Sequence, residues 1–283
     1  MEEVSPQRWR RSPEPSWPPW TAPLALFGGV AFALLGSVVV DVPALLLGAK
    51  ITSSHTSGGV TIADTVVQDV GFVCAAVFFA QLGGRAVGAW QFGLRRPRTS
   101  WGVAVLLVLA LLVSFVVLSA LWAALVHPEE EKLLETLGSN EGTDLLVLSA
   151  ALTCVVAPMC EEFLFRGFIF TALRNWRGTL PAALIDAVLF GGVHYGSAPA
   201  LDLVPLAALG FGLCLLYRCS GSLYPCIAAH SLNNSIAFAS LENWSWQAFV
   251  LIVSALATIL VLVLAFRRVG LIAPERGLAP PSA

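Results

Sequence analysis

Long apolar runs, separated by charged or turn-rich breaks, dominate the pattern of hydrophobic and polar residues along this chain. A helix that crosses the ~30 Å hydrocarbon layer of a bilayer needs about 20 mostly apolar residues, and several runs reach that length. The pattern predicts eight membrane-spanning helices, over residues 22–48, 68–90, 101–126, 144–173, 180–195, 202–217, 222–240 and 247–266. We therefore expect an all-α, polytopic transmembrane helix bundle.

Two of the predicted spans are short and interrupted. The fifth contains Asp186 and the Gly191-Gly192 pair, and the sixth contains Pro205. Such residues favour helices that tilt or bend around an internal polar cavity. A layout of six spans with two re-entrant segments explains the same pattern and keeps both termini on one side of the membrane.

Composition supports a membrane location and narrows the partners. Of the 283 residues, 57% are hydrophobic and only 12% are charged, and the mean hydropathy is +0.79. These values are typical of integral membrane proteins rather than of soluble domains. The formal net charge of −2 gives no sign of a nucleic-acid-binding surface, so we expect the lipid bilayer as a partner and no nucleic acid.

The positive charges are distributed asymmetrically between alternate loops. If the N-terminus lies inside, 13 of the 16 Lys and Arg residues fall on the cytoplasmic side, whereas the opposite side has Lys50 and Lys132. Because retained positive charge marks the cytoplasmic face, this distribution predicts that both termini are cytoplasmic. The residues assigned to the cytoplasmic side are Arg8, Arg10, Arg11, Arg85, Arg95, Arg96, Arg98, Arg174, Arg177, Arg218, Arg267, Arg268 and Arg276.

The fourth predicted span contains three ionisable side chains within residues 161–166, EEFLFR. An ionisable group at membrane depth costs ~2.5 to 3.5 kcal/mol on insertion scales, so each one needs a partner or a function. Glu162 and Arg166 are one helical turn apart, which favours an ion pair. Glu161 is rotated by about 100° from Glu162 and is predicted to face something else. The alternative interpretation is a buried ion pair that only sets the helix register.

Two further predicted spans each carry a histidine within an apolar run. His194 follows Phe190 by four residues in the fifth span, and His230 precedes Asn234 by four residues in the seventh. Side chains four residues apart share a helical face. We therefore expect the two histidines, the amide and Glu161 to converge on a polar pocket inside the bundle.

Two details of this pocket have alternatives in the sequence. Asn233 competes with Asn234 for the amide role, since offsets of three and four from His230 both stay on one helical face. Asp186 lies eight residues before His194 on roughly the same face, so it is a candidate to orient that histidine ring.

Such a pocket predicts water activation by one of two routes. In the first, Glu161 removes a proton from a water that His194 helps to hold, while His230 and Asn234 donate hydrogen bonds to the oxyanion formed at a peptide carbonyl. In the second, Glu161, His194 and His230 bind a divalent metal such as zinc, which lowers the pKa of a coordinated water. The HExxH motif of zinc proteases is absent from the sequence, which slightly favours the route that requires no cofactor.

These motifs resemble the CAAX protease and bacteriocin-processing family (CPBP, or Abi), which includes the type II CAAX prenyl endopeptidases. The resemblance rests on the EExxxR box at residues 161–166, the FxxxH box ending at His194 and the HxxxN box starting at His230, in that order. It covers about residues 145–240. It implies an integral membrane endopeptidase of about eight helices, with a cavity open toward the cytoplasm and the bilayer.

The resemblance also implies a role for each matching residue. Glu161 is expected to be the catalytic base, with His194 beside it on the water and His230 with Asn234 at the oxyanion. Glu162 and Arg166 are expected to support them. Members of this family are often described as metalloproteases, and a glutamate mechanism without metal is the form that we favour.

Four regions follow from these assignments. We expect a disordered cytoplasmic tail at residues 1–20, N-terminal transmembrane helices and loops at 21–143, and a CPBP-like catalytic core at 144–240. The last transmembrane helix and a cytoplasmic tail form residues 241–283.

The expected function is hydrolysis of a peptide bond in a membrane-associated protein or peptide, of CAAX type or bacteriocin type. The abundance of Ala, Leu, Gly, Pro and Arg is typical of a GC-rich bacterial genome. We therefore expect a bacterial inner or plasma membrane, where a prenylated substrate is the less favoured option. The alternative is a non-proteolytic membrane scaffold or immunity protein that retains the polar boxes for structure.

Overall fold

A computed structural model of the protein describes residues 15–51, 56–82, 87–126 and 142–272. These ranges form eight helices and a short 3₁₀ turn at Ala89–Phe92. The helices are α1 (Thr21–Leu46), α2 (Gly58–Gln81), α3 (Trp101–Val126), α4 (Thr143–Arg177), α5 (Thr179–Val193), α6 (Leu203–Ser220), α7 (Leu223–Leu241) and α8 (Trp246–Arg268).

Helix length and composition confirm an all-α integral membrane bundle. Among the described residues, six helices are long and apolar enough to cross a membrane, namely α1, α2, α3, α4, α6 and α8. Helix α5 is apolar but has 15 residues, and α7 has 19 residues with several polar side chains in its middle. Each predicted span corresponds to one of these eight helices.

The second helix begins ten residues earlier than the apolar pattern predicts, at Gly58 instead of residue 68. Polar residues weaken the apolar signal in the first half of α2, although this half packs against α1 and α4. The correction moves Asp69 from the edge of the predicted span to the middle of the observed helix.

Residues 15–20 do not belong to a disordered tail, contrary to the prediction for residues 1–20. Trp17 is buried, and its ring centroid lies 4.9 Å from that of Phe168 in α4. This aromatic contact fixes the segment against the bundle because it removes a large apolar surface from contact with water. The remaining part of the predicted tail, residues 1–14, lies outside the described residues.

Helix α4 holds the centre of the bundle and is not a uniform α-helix. Two π-helical turns, Leu152–Val156 and Phe163–Ile169, flank the α-helical segment Ala157–Glu162 that carries both glutamates. A π turn shifts backbone hydrogen bonds to longer spacing and often occurs at functional sites. The two turns therefore set the direction in which the glutamates point.

Side chains bind carbonyl groups within these π turns. The Cys154 carbonyl accepts a hydrogen bond from the Ser231 hydroxyl of α7, and the Thr153 carbonyl accepts a 3.0 Å bond from the Asn234 amide. The Arg166 carbonyl accepts a 3.0 Å bond from the Thr171 hydroxyl. The first turn thus fixes the position of α7 beside the glutamates.

Phenylalanine contacts fix the neighbours of the second π turn. The Phe165 ring lies 6.3 Å from Phe72 of α2 and 5.1 Å from Phe190 of α5, both edge to face. Such pairs are favoured beyond their buried area, so α2 and α5 are held on two sides of α4.

Candidate active site

A polar cavity of about 260 Å³ lies between α2, α4, α5, α6 and α7. All four residues that the sequence predicted as catalytic line this cavity: Glu161, His194, His230 and Asn234. Asn233 lines it as well. The fold therefore brings together side chains from three helices that are well separated in sequence.

Glu162 and Arg166 lie behind the cavity and are fully buried. Arg166 Nη1 donates a 2.9 Å hydrogen bond to Glu162 Oε1, as the four-residue spacing predicts. Its Nη2 donates to the Gly210 carbonyl of α6 at 3.0 Å, and its Nε lies 3.7 Å from Asp186 Oδ2 of α5. One guanidinium thus balances two buried carboxylates and connects three helices.

Glu162 makes a second contact that the sequence did not predict. Glu162 Oε1 lies 2.9 Å from Nδ1 of His230. Because an ionised carboxylate can only accept, Nδ1 carries the proton in this hydrogen bond. The other ring nitrogen, Nε2, lies 3.9 Å from Oε2 of Glu161. Arg166, Glu162 and His230 therefore form a chain of polar contacts that ends at Glu161.

The carboxylate of Glu161 lies on the cavity wall, and one of its oxygens makes no hydrogen bond within the described part of the chain. The residue is 8% exposed, and its Oε2 has no hydrogen-bond partner among the described residues. A carboxylate that is not neutralised by an arginine keeps its lone pairs available for a proton. The division that helical spacing predicted, with Glu162 paired and Glu161 unpaired, is present in the structure.

His194 reaches the cavity from the C-terminal end of α5. Its Nδ1 lies 2.8 Å from the Phe190 carbonyl oxygen, which can only accept. In the neutral ring, Nδ1 therefore carries the proton and Nε2 is left as an acceptor. Asp186 does not orient this ring, contrary to the prediction, because its Oδ2 accepts a 3.0 Å hydrogen bond from Cys214 Sγ and faces Arg166.

The two neighbouring asparagines differ in their contacts. Asn234 Nδ2 donates to the Thr153 carbonyl, which leaves the second proton of its amide for another acceptor. Asn233 Nδ2 lies 3.4 Å from Asn234 Oδ1 and is tied to its neighbour rather than to α4. The contact with α4 distinguishes Asn234 as the residue with the more firmly fixed amide.

Comparison with known proteins gives a consistent family. Residues 143–236 match the family model for type II CAAX prenyl endopeptidases, described as Rce1-like. The "Putative membrane peptidase YdiL" of Bacillus subtilis is 34% identical over 88 residues, which cover 31% of this chain and 35% of that protein. Through residues 143–236, the chain is similar to the CPBP family.

A second relative of the chain has no described function. It is an uncharacterised protein of Mycoplasma capricolum subsp. capricolum, 31% identical over 93 residues, which cover 32% of this chain and 27% of the relative. The similarity to both curated relatives thus spans about a third or less of their lengths. No solved structure matches the chain significantly.

Asp69 of α2 is a buried acidic residue that the sequence motifs did not indicate. It is 1% exposed, and neither carboxyl oxygen has a hydrogen-bond partner among the described residues. It lies within electrostatic range of Glu161. Because the second span was predicted to start at residue 68, Asp69 was assigned to the membrane boundary. Ending that span at the Gly83-Gly84 pair would have placed it at membrane depth.

Helix α2 also contributes side chains to the cavity, which the motifs do not show. Thr65 and Gln68 line the cavity, on the side of α2 that faces α4. They add hydroxyl and amide groups opposite the glutamate. Tyr195 and Ser197, just after His194, complete the polar part of the wall.

The donor atoms around the cavity were compared with the needs of a metal ion, within the part of the chain that the structure describes. Among the described residues, no group of three His, Cys, Asp or Glu side chains is close enough to hold a metal ion. His230 Nδ1 is bound to Glu162 and His194 Nδ1 to a carbonyl oxygen, so these contacts leave Nε2 of each ring available as a ligand or acceptor. The metal route through Glu161, His194 and His230 stays the alternative prediction to direct catalysis by Glu161.

Proposed function

We propose that this protein is an intramembrane endopeptidase of the CPBP type that uses Glu161 to activate water against a peptide bond. The observation that carries the proposal is the cavity in which Glu161, His194 and His230 meet from three helices. A buried ion pair that only set helix register would require Glu162 and Arg166. It would not require an unpaired glutamate and two histidines on the same polar wall.

In the proposed reaction, Glu161 accepts a proton as water attacks the peptide carbonyl, and then delivers that proton to the leaving amine. His194 Nε2 accepts a hydrogen bond from the same water and so fixes its direction. The 3.9 Å separation between His230 Nε2 and Glu161 Oε2 is long for a direct hydrogen bond, and a shared water can bridge it. Water is thereby added across the C–N bond without a covalent enzyme intermediate.

The developing oxyanion is stabilised by donors that the fold already orients. Asn234 contributes its second amide proton. His230 contributes Nε2–H, while its Nδ1–H stays bound to the carboxylate of Glu162. Arg166 acts through Glu162 and touches neither water nor substrate.

The substrate is proposed to be a membrane-associated protein or peptide, of CAAX or bacteriocin type. A cavity of about 260 Å³ holds only a small part of a polypeptide, so the rest of the substrate must lie outside it. We further propose that both termini face the cytoplasm of a bacterial cell, as the arginine distribution favours.

The decisive experiment is cleavage by the purified full chain of three peptide types: CAAX peptides with a prenyl chain, the same peptides without it, and bacteriocin leader peptides. Glu161→Gln keeps the side-chain volume and removes the base, so we expect turnover to fall by about 100-fold or more. Glu242→Gln, at the C-terminal end of α7 and outside the cavity, is the matched control and should retain turnover. Full turnover by Glu161→Gln would show that the mechanism is wrong.

Metal dependence is tested in the same assay. The protein is treated with a strong chelator, its metal content is measured, and cleavage is repeated with and without added zinc. We expect activity to persist after verified removal of metal. Loss on chelation with recovery on zinc addition would replace the direct glutamate route by the metal route.

A further inference from the structure

A second groove, of about 370 Å³, lies on a different face of α7 from the catalytic cavity, between α7, α8 and the start of α3. Its walls are apolar and come mainly from α8, including Ile259, Leu260 and Val263. Leu260 is 59% exposed on the outer surface of the bundle, so the groove opens toward the bilayer. A lipid chain can therefore enter it from the side.

One end of this groove carries two cations and two aromatic side chains: Arg96, Arg267, Tyr224 and Trp101. The Arg267 guanidinium carbon lies 5.6 Å from the Tyr224 ring centroid, and its Nη2 is 3.4 Å from the Tyr224 hydroxyl. Its Nε is buried and has no hydrogen-bond partner among the described residues. Tyr224 thus holds Arg267 at the groove, and the Nε–H of Arg267 remains available as a hydrogen-bond donor.

The backbone on both sides of Arg96 is tied to the loop before α7. Arg95 Nε donates a 2.9 Å hydrogen bond to the Gly221 carbonyl, and the Ser222 hydroxyl donates to the Arg95 carbonyl. The Arg98 amide donates a 2.7 Å bond to the Ser220 carbonyl. These contacts hold the backbone of this segment beside the groove, which Arg96 lines.

The surrounding segments are strongly basic. Residues 87–101, 214–228 and 256–272, which supply this end of the bundle, contain no Asp or Glu. They contain six arginines: Arg95, Arg96, Arg98, Arg218, Arg267 and Arg268. Among the residues that the structure describes, no acidic side chain lines the groove. The local charge is complementary to an anion, and the apolar walls are complementary to a hydrocarbon chain.

We propose that this groove binds one anionic phospholipid, with its phosphate between Arg96 and Arg267 and an acyl chain along the apolar face of α8. Basic pockets between transmembrane helices attract anionic lipid headgroups, by about 1 kcal/mol or about five-fold in affinity for each Lys or Arg near the surface. A zwitterionic lipid gains less because its own cation is repelled. A soluble phosphate gains less because it has no chain to bury.

The test measures lipid binding directly and does not require protease activity. The full chain is titrated with phosphatidylglycerol and with phosphatidylcholine of identical acyl chains, and bound lipid is counted by native mass spectrometry. We expect phosphatidylglycerol to bind about five-fold or more tightly than phosphatidylcholine. Arg267→Gln should lower the affinity for phosphatidylglycerol about five-fold and that for phosphatidylcholine by less. Its neighbour Arg268→Gln, which is exposed and outside the groove, should change neither.

Two further variants and a competing ligand are measured in the same way. Arg96→Gln should reproduce the loss if Arg267→Gln does not fold, and Leu260→Trp, which fills the groove, should weaken both lipids. Glycerol phosphate should not displace phosphatidylglycerol. The proposal is overturned if Arg268→Gln lowers binding as much as Arg267→Gln and Arg96→Gln do, if the two lipids bind equally, or if a neutral prenyl alcohol binds more tightly than phosphatidylglycerol.

Discussion

Helices α3 and α4 are both long enough to cross a membrane, yet they occupy opposite environments. Helix α3 has no ionisable side chain, and its buried residues are Ala104 and Val108. Helix α4 buries Glu161, Glu162 and Arg166, and other helices surround it on several sides. Neighbouring helices supply hydrogen-bond and charge partners to the polar residues of α4, which offsets the free-energy cost of burying them. Helix α3 instead presents mostly apolar side chains to the lipid.

This difference in environment determines which substitutions should change the free energy of unfolding. In α4 the effect of a substitution depends on the hydrogen-bond and charge partners that it removes, since an unpaired buried charge destabilises the fold. In α3 the effect of a substitution depends mainly on whether the new side chain is apolar. Substitutions on the two kinds of surface should therefore differ in their effects by several kcal/mol.

The largest effect is expected from Arg166→Met. This substitution leaves the carboxylates of Glu162 and Asp186 buried without their cation, so the unfolding free energy should fall by about 3–5 kcal/mol. Denaturation of the protein in mild detergent micelles measures the change. Arg177→Met at the end of the same helix removes a surface cation that stacks on Trp176, and should cost about 1 kcal/mol or less. Equal losses for the two variants would contradict the assignment of Arg166 as the central cation.

The next effect is expected at the contact between α5 and α6. A Cβ atom added at Gly191 would lie 2.7 Å from the Leu203 carbonyl oxygen and 3.0 Å from the Ala207 Cβ. Gly191→Ala should therefore push the two helices apart, at a cost of about 1–3 kcal/mol, and displace His194 from the cavity. Gly192→Ala is the matched control because nothing lies within 4 Å of its added Cβ. Thermal unfolding and turnover of both variants decide the matter, and similar behaviour would show that the close packing is unimportant.

A smaller effect, of opposite sign, is expected at Asp69. Its buried carboxyl group has no hydrogen-bond partner among the described residues, so Asp69→Leu should raise the unfolding free energy by about 1–2 kcal/mol. Turnover should fall, because the charge environment of Glu161 changes. Unfolding in detergent and cleavage rate are measured on the same sample. A variant that is destabilised instead would indicate that Asp69 is a structural polar contact.

The smallest effect is expected on the lipid-facing surface of α3. Val113 is 64% exposed there, and Val113→Leu keeps the surface apolar. The unfolding free energy and turnover should both stay within about 0.5 kcal/mol of the wild type. A large loss would mean that this face of α3 contacts another protein rather than lipid.

Much of the fold could be predicted because membrane spans have a simple physical signature. Apolar length located all eight helices, and the interruptions in the fifth and sixth predicted spans pointed to an internal cavity. The position of α2 was wrong by ten residues because polar side chains that face the bundle interior resemble a loop in a hydropathy pattern. The burial of Trp17 was missed because a short aromatic segment has no periodic signal.

The sequence predicted which residues form the candidate site better than it predicted the contacts between them. The four-residue spacing on a helix predicted the Glu162–Arg166 pair, since both residues belong to one rigid element. The Glu162–His230 hydrogen bond, the Asp186–Arg166 approach and the position of Asp69 were not predictable from spacing. Each of these contacts joins two helices.

The sequence by itself determined that the chain is a membrane helix bundle, that both glutamates and both histidines of the motifs lie within apolar spans, and which of the two glutamates is one helical turn from Arg166. Only the tertiary structure decided what Glu161 faces, what holds His230 and which helix adds a further carboxylate. The reason is geometric. Contacts within a helix follow from covalent geometry and hydrogen-bond period, whereas contacts between helices depend on rotation and depth. Here the π turns of α4 and close approaches such as Gly191 against α6 set both.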